Sequence, residues 1–217
     1  YSPQEKENTM KPATFLSMSL TVACFCCLLV GSLSAADDDS GWKPLMDGKT
    51  LDGWHPVGEG EWTVEDGAFV GRANKTKLYG LLVSDKMFGD CTVRFKFRCL
   101  AGDSGFYVRT IIKDPDQAHG PQIQVGLAGS GAGGIYESYG RGWMQKPTVE
   151  QEKEILRTDG WNEMTISAHG GKFAVHVNGV KTAEVDDPKI RGKGHFALQM
   201  HSGNVMHVMF KEIEIKE

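Results

Sequence analysis

The sequence lacks the signals of several common function classes. It has no run or tail of Lys and Arg, and its formal net charge is −4, so nothing suggests nucleic acid or an anionic membrane as a partner. The glycine-rich residues 128–144 lack the Gly-Lys-Ser/Thr ending of a phosphate loop. They also look too irregular for a strand ladder. No two histidines have the His-x-x-x-His spacing of a helical metal site. The sequence identifies no cofactor with certainty, and a divalent metal stays open.

Cysteine is scarce beyond the first 40 residues. Only Cys91 and Cys99 occur there, at the two ends of "CTVRFKFRC". In a strand both side chains lie on one face, roughly 26 Å apart at ~3.3 Å per residue. That separation is far beyond the reach of a disulfide. We therefore expect both thiols to be reduced and buried as small core residues.

No apolar run is long and well flanked enough for a stable membrane anchor. The longest, residues 15–30, follows Met10 and Lys11 and precedes small residues at 34–36, which is typical of a secretory signal peptide. The sequence thus predicts an exported protein, periplasmic or secreted, with no transmembrane anchor after cleavage. The predicted segments are an upstream extension (1–9), a signal peptide (10–36), a short acidic spacer (37–41) and one domain (42–217).

Turns and alternating segments dominate the rest of the chain. There are 27 glycines, and turn signals such as Asp66-Gly67 and Asn178-Gly179 separate short stretches of alternating polarity. One segment, "TVEQEKEILRTDG", favours a short helix. The sequence predicts an all-β antiparallel sandwich with one short helix. A phase shift between Phe210 and Ile213 indicates a bulge, and we interpret "EIEIKE" at the C-terminus as a solvated edge strand.

Polar side chains share one parity on three separate predicted strands. If those rows meet, they form a surface of donors and acceptors beside an aromatic ring, which suits a sugar. The alternative is an ordinary solvent-facing sheet surface. His201 is the best candidate for an acid, a base or a ligand. The three rows are Tyr107 with Arg109, Gln122 with Gln124, and Gln199 with His201.

Six motifs in order resemble one family, and the resemblance covers Trp42 to the C-terminus. They are "LMDGKTLDGW", "DSGFYVR", "PQIQV", "GGIYE", "GWNEMTISAHGGKFAVHVNGV" and "FALQMHSG". The chain resembles the 3-keto-disaccharide hydrolase domain family, whose members are also described as 3-keto-glucoside 1,2-lyases and 3-keto-2-hydroxy-glucal hydratases. The resemblance implies a concanavalin A-like lectin/glucanase β-sandwich (jelly roll), export and action on 3-keto glycosides.

The implied chemistry uses the ketone at C3 of the sugar. The ketone acidifies the C2 proton, a base removes that proton, the glycosidic oxygen leaves C1, and water adds to the resulting glycal. For this chemistry we assign the enolate to Arg109 and the proton exchange to His201 and Glu137. The residues expected to position hydroxyl groups are Tyr107, Gln122, Gln124, Tyr136 and Gln199.

Two positions depart from the family pattern. Asp103 replaces the usual Asn, and Gln124 stands where related members often carry an acid, which removes one candidate base or metal ligand. The alternative function is therefore a non-catalytic glycan-binding β-sandwich module.

Overall fold

The computed structural model describes Tyr1 and residues 41–217. The predicted signal peptide and spacer up to residue 40 lie outside the described residues, as does the predicted extension except Tyr1. Among the described residues, no helix has the length and apolarity needed to cross a membrane.

The described chain forms fifteen strands and one short helix, and the predicted all-β sandwich is confirmed. The helix α1 (Val149–Ile155) lies within the segment predicted to be helical. The strands are β1 (Lys43–Pro44), β2 (Trp54–Gly58), β3 (Glu61–Glu65), β4 (Ala68–Asn74), β5 (Gly80–Phe88), β6 (Cys91–Ala101), β7 (Ser104–Lys113), β8 (Gln117–Val125), β9 (Ile135–Ser138), β10 (Gly142–Gln145), β11 (Asn162–His169), β12 (Lys172–Val177), β13 (Val180–Asp186), β14 (Gly194–Met200) and β15 (Val205–Lys216).

The strands form two antiparallel sheets. The first has the order β13-β12-β11-β6-β15-β4-β3, with β1 paired to β15, and the second has the order β10-β9-β8-β7-β14-β5-β2. The inner faces of both sheets supply one apolar core; for example, the rings of Phe95 on β6 and Phe106 on β7 stack with their centroids 4.5 Å apart. The second sheet is the one that positions the candidate site.

Local patterns produced the expected elements. Side chains of β6 alternate between buried and half-buried from Cys91 to Cys99, and both cysteines are free and buried, as predicted. At the Asn178-Gly179 turn both residues have positive φ (50° and 82°), the conformation that a two-residue hairpin of this sequence adopts. Thr148 begins α1 with a capping box.

Of three predictions about strands, one is confirmed and two need correction. The bulge in β15 is confirmed, with Glu212 at φ 52° and a register shift between Lys211 and Glu214. However, the C-terminal segment of β15 is not an edge strand, because Glu214 and Ile215 pair with β6 on one side and with β1 on the other. Residues 128–144 are predicted to contain no strand, yet they contain β9 and all but the last residue of β10, because a glycine-rich sequence can still pair with the edge of a neighbouring strand.

Candidate functional site

A cavity of about 230 Å³ lies on the face of the second sheet that points away from the core. On β7 and β8, Phe106 and Ile123 point into the core, so their neighbours Tyr107 and Gln122 point to the opposite face. We call this space the polar cavity. Its lining includes Tyr107, Gln122, Gln124, Tyr136, Gln199 and His201, so the structure brings together six of the eight residues that the sequence singled out.

Four of the lining side chains form a closed ring of hydrogen bonds. The Tyr107 hydroxyl lies 3.0 Å from Ser138 Oγ, which donates to Gln122 Oε1 at 3.1 Å. Gln122 Nε2 lies 3.4 Å from Gln199 Oε1, and Gln199 Nε2 donates to the Tyr107 hydroxyl at 2.9 Å. Because every member is held by two others, the ring presents the cavity with side chains of defined position.

Packing beneath the ring immobilises its members further. Tyr107 is 2% exposed and packs in a small apolar cluster with Leu81, Val83 and Ala197. Gly105 makes room for the Gln122 amide, because a Cβ at that position would collide with the Gln122 side chain. This explains why glycine precedes Phe106 in the "DSGFYVR" motif.

A carboxylate ends a branch of this network. Gln122 Nε2 also donates to Gln124 Oε1 at 2.8 Å, and Gln124 Nε2 donates to Asp103 Oδ2 at 2.9 Å. Asp103 is half-buried and lines the cavity. In the sequence Asp103 is recognisable only as a departure from a motif, and nothing there indicates a role in the site.

His201 lies at the cavity wall in a defined tautomer. Its Nδ1 is 2.8 Å from the Ser202 carbonyl oxygen, and a carbonyl can only accept, so Nδ1 carries the hydrogen in the neutral ring. Nε2 therefore keeps its lone pair for a proton or a ligand. The ring packs edge-to-face against Tyr79, with the centroids 5.0 Å apart, and this contact fixes its orientation.

Asp116 is a buried acid that sequence analysis missed. It is 7% exposed, lines the cavity, and its Oδ2 accepts a hydrogen bond from the Tyr79 backbone nitrogen at 2.6 Å. It follows β7 in a sequence, "KDPDQ", that reads as an ordinary surface turn. No local signal distinguishes this aspartate from the exposed Asp114, because its hydrogen-bond partner, Tyr79, is distant along the chain.

Aromatic rings flank the cavity on the side of β9 and β10. The rings of Tyr136 and Trp143 meet edge-to-face at 5.3 Å, and Tyr139 stacks on His119 at 4.5 Å. Trp143 is 40% exposed, so part of its ring remains free to stack on a ligand. The sequence alone does not indicate this role, because the "GRGWM" stretch is interpreted there as an irregular loop.

Burial changes the acid–base properties of the tyrosines. Desolvation raises the pKa of Tyr107 far above the usual value for tyrosine, more strongly than the hydrogen bond to Ser138 lowers it. Desolvation likewise raises the pKa of Tyr79. Both phenols are therefore neutral near pH 7 and act as hydrogen-bonding groups rather than as bases.

The expected position of Arg109 is wrong. It is completely buried, and its five N–H groups are all used: four bonds go to the carbonyl oxygens of Gly89, Ala168, Gly170 and Arg191, and one goes to Asp90. The cause is a register shift in β7 between Tyr107 and Ile111, with Arg109 itself at φ 52°. This irregularity turns the side chain away from the cavity and leaves it no donor for an enolate.

Glu137 also lies outside the polar cavity. It is adjacent to Tyr136 on β9, and neighbouring strand residues point to opposite faces. Its carboxylate accepts from Arg141 Nε at 2.5 Å and from the Arg141 backbone nitrogen at 3.0 Å. These bonds to Arg141 lower the pKa of Glu137, so its carboxylate is paired with Arg141 and does not line the polar cavity with the other candidates.

The described residues do not offer a clear metal site. Across Tyr1 and residues 41–217, no three His, Cys, Asp or Glu side chains lie close enough together to hold an ion. Asp103, Asp116 and His201 all line the polar cavity, but they do not form such a group. These four residue types therefore form no group of three that could hold a metal within the described part of the chain.

Comparisons with known proteins agree with this architecture. The model of the 3-keto-alpha-glucoside-1,2-lyase-like domain family matches residues 41–216. No curated protein matches the sequence. Among solved structures, a candidate glycosyl hydrolase from Parabacteroides distasonis ATCC 8503 is 20% identical with a TM-score of 0.58, over 81% of this chain and 93% of that one.

Two further structures resemble the chain at lower identity. The carbohydrate binding module CBM66 from Bacillus subtilis is 13% identical with a TM-score of 0.58, over 76% of this chain and 96% of that chain. A Bacillus subtilis protein of unknown function with a galectin-like fold is 12% identical with a TM-score of 0.58, over 81% of this chain and 94% of that chain. These likenesses concern the fold, and they confirm the predicted lectin-like β-sandwich.

Proposed function

The chain belongs to the 3-keto-alpha-glucoside-1,2-lyase-like domain family, and from this premise we propose that it is an exported enzyme that cleaves 3-keto glycosides. A base removes the C2 proton next to the ketone, the electron pair forms the C1–C2 double bond, and the glycosidic oxygen leaves C1 with a proton. Water then adds across that double bond to give the free 3-keto sugar.

The polar cavity is the observation that supports this proposal. Its floor consists of amide and hydroxyl groups that are buried yet face open space, and Gln122, Gln124 and Gln199 are each at most 6% exposed. Buried polar groups are expected to be hydrogen-bonded, and a polyhydroxylated ring offers donors and acceptors at the required density. The cavity is smaller than the ~300–1,000 Å³ pockets of drug-sized ligands, so it suits a single sugar ring.

Two groups are suited to move protons. His201 Nε2 has a lone pair in the neutral ring, and Asp116 is a buried carboxylate with one oxygen held by the Tyr79 backbone. We assign His201 to the C2 proton and Asp116 to the exchange at the glycosidic oxygen or the added water. The exposed part of Trp143 would carry the portion of the glycoside that extends out of the cavity.

A non-catalytic glycan-binding module is the second candidate. The observation in its favour is that Arg109 and Glu137, two of the three residues expected to do chemistry, lie outside the cavity. A module of that kind would bind a sugar through the ring of amides and Trp143 without changing it.

Turnover of a 3-keto disaccharide by the purified protein tests the proposal. We expect release of the leaving sugar from 3-keto-trehalose and none from trehalose, whose C2 proton is not acidified. Parallel assays with and without a chelator measure any metal requirement. Binding of both sugars without release would favour the glycan-binding module. If the protein neither binds nor cleaves either sugar, both functions are contradicted.

His201→Ala separates the two functions more sharply. Loss of a general base should lower turnover about 10²–10⁴-fold with little change in binding. His176→Ala is the matched control, since His176 lies on β12 in the other sheet. Equal turnover by the two variants would contradict the role given to His201. Export is tested separately by N-terminal sequencing of the secreted protein, for which we expect a start at residue 37.

A further inference from the structure

One carboxylate sets the direction of every hydrogen bond on the cavity floor. An ionised carboxylate only accepts, so Asp103 requires the amide nitrogen of Gln124 to point towards it. The Gln124 oxygen must then face Gln122, as it does at 2.8 Å from Gln122 Nε2. The Gln122 oxygen is consequently left to accept from the Ser138 hydroxyl.

The other hydrogen bonds of the ring then have only one possible direction each. Ser138 donates to Gln122, so its oxygen accepts from the Tyr107 hydroxyl; Tyr107 in turn accepts from the Gln199 amide nitrogen. The second hydrogen of Gln122 Nε2 then goes to the Gln199 oxygen. Tyr107 can serve as a donor here because burial keeps its phenol protonated.

Counting hydrogens shows what is left for a ligand. Gln122 uses both of its amide hydrogens within the network, whereas Gln124 and Gln199 each use one. Each of these two side chains therefore keeps one N–H, on a residue at most 6% exposed that lines the cavity. A buried donor without a partner costs free energy unless a ligand satisfies it. This part of the cavity thus demands an acceptor oxygen.

The remaining polar groups have the opposite character. His201 Nε2 and Oδ1 of Asp116 are acceptors. The other ring nitrogen of His201 is bonded to the Ser202 carbonyl oxygen, and the other oxygen of Asp116 is bonded to the Tyr79 backbone nitrogen. The cavity therefore has a donor side, at Gln124 and Gln199, and a proton-accepting side, at His201 and Asp116. A carbonyl compound with an acidic proton next to the carbonyl matches both sides.

We propose that the spare amide hydrogens of Gln124 and Gln199 bind the C3 carbonyl oxygen of a 3-keto sugar and stabilise its enolate, and that Asp103 is the positioning residue that keeps both amides in the donor orientation. This inference rests on the proposed function. It assigns to two neutral amides the task that the sequence had suggested for Arg109, and no metal is needed for it.

Gln199→Glu is the main test, because it changes the donor into an acceptor without changing shape. Gln122 can still donate to the new carboxylate, and the Tyr107 hydroxyl can donate to it by giving up its bond to Ser138. Loss of a preorganised donor to a developing oxyanion should lower kcat about 10²–10³-fold, and loss of the same bond to the ground-state carbonyl should raise KM by up to about tenfold. Gln151→Glu is the matched control; it lies in α1, where a glutamate preserves the capping box with Thr148.

Asp103→Asn tests the positioning role. The new amide can donate to Gln124, which permits the network to run in the opposite direction and to present oxygens to the ligand. We expect kcat to fall at least tenfold and KM to rise by up to about tenfold, because the carbonyl loses its donors in the ground state as well. The melting temperature reports whether the variant folds. If this variant does not fold, Gln199→Glu still decides the question.

A binding measurement without turnover completes the design. A 1,5-anhydro-3-keto sugar has no leaving group at C1, and its 3-deoxy analogue lacks the carbonyl oxygen. The wild type should prefer the keto compound about tenfold, a ratio typical of one or two hydrogen bonds, and Gln199→Glu and Asp103→Asn should abolish that preference.

The outcomes distinguish this inference from the proposed function. Cleavage by the wild type with kcat and keto preference unchanged in Gln199→Glu overturns the donor role alone. Keto preference without cleavage supports the donor role and contradicts the lyase function. If the wild type neither cleaves a 3-keto disaccharide nor prefers the keto probe, both ideas are overturned.

Discussion

Replacing Arg109 should damage the fold and not the chemistry. In Arg109→Met the side chain keeps the aliphatic part of arginine, but it loses all five donors and the guanidinium carbon, which lies 5.2 Å from the centroid of the Phe173 ring. The four carbonyl oxygens that Arg109 holds belong to separate segments near residues 89, 168–170 and 191. The guanidinium therefore joins three parts of the chain at one end of the sandwich.

The magnitude follows from these contacts. Carbonyls left without donors cost about 1–3 kcal/mol each where water cannot replace the bond, and water will reach some of them. The ion pair with Asp90 adds little, because that carboxylate is 60% exposed. Removing one partner from a buried polar network typically costs about 3–5 kcal/mol, which is a large part of the roughly 5–15 kcal/mol by which domains are stable. At about 2–4 °C per kcal/mol, the melting temperature should fall by about 6–20 °C.

Urea unfolding followed by tryptophan fluorescence measures this loss. Arg157→Met is the control, since Arg157 is exposed and its guanidinium makes a single 3.3 Å bond to the Trp161 carbonyl; it should change stability by at most about 0.5 kcal/mol. Turnover per folded molecule, measured well below the transition, should be retained by Arg109→Met. Stability within about 1 kcal/mol of the wild type together with lost turnover would refute this reasoning and restore Arg109 to the site.

Three further predictions concern carboxylates and thiols. Glu152→Ala should lower the free energy of unfolding by about 2–4 kcal/mol and weaken sugar binding. The reason is that this 2% exposed carboxylate accepts hydrogen bonds from the Gly129 and Ala132 backbone nitrogens and so holds the loop beside the cavity. Hydrogen exchange of that loop measures the change, and unaltered protection would contradict the prediction. Glu137→Gln should leave turnover intact. Arg141 lowers the pKa of Glu137 below its ordinary 4.5. The difference in unfolding free energy between the wild type and Glu137→Gln should therefore be constant above about pH 4.5 and should vanish as the pH falls through the lowered pKa. Unfolding of both proteins over an acid pH series measures this difference. Burial raises the pKa of Cys91 and Cys99 to about 11, so iodoacetamide at pH 8 should label neither thiol until the protein is unfolded; rapid labelling of the native protein would show that β6 is misplaced.

Local patterns predicted much of the architecture and part of the site. Alternation along β6 placed Cys91 and Cys99 in the core, and the Asn178-Gly179 signal gave a hairpin turn, because both depend only on the period of a strand and on backbone preferences of single residues. The same parity placed Tyr107, Gln122 and Gln199 on the face opposite the core. The sequence can also predict that Glu137 points away from the face of Tyr136, because the two residues are neighbours. This requires that residues 135–138 are recognised as a strand.

Only the tertiary structure decided which of these polar residues share a cavity. Arg109 has the parity of Tyr107 in the sequence, but the irregularity in β7 turns it into the end of the sandwich, where carbonyls from three distant segments satisfy it. Asp116 and Asp103 gain their roles from Tyr79 and Gln124, which lie 37 and 21 residues away along the chain. The face of a side chain is a local property with a period of two, whereas the partners of a buried polar group depend on strand order and register, and these emerge only when both sheets close around one core.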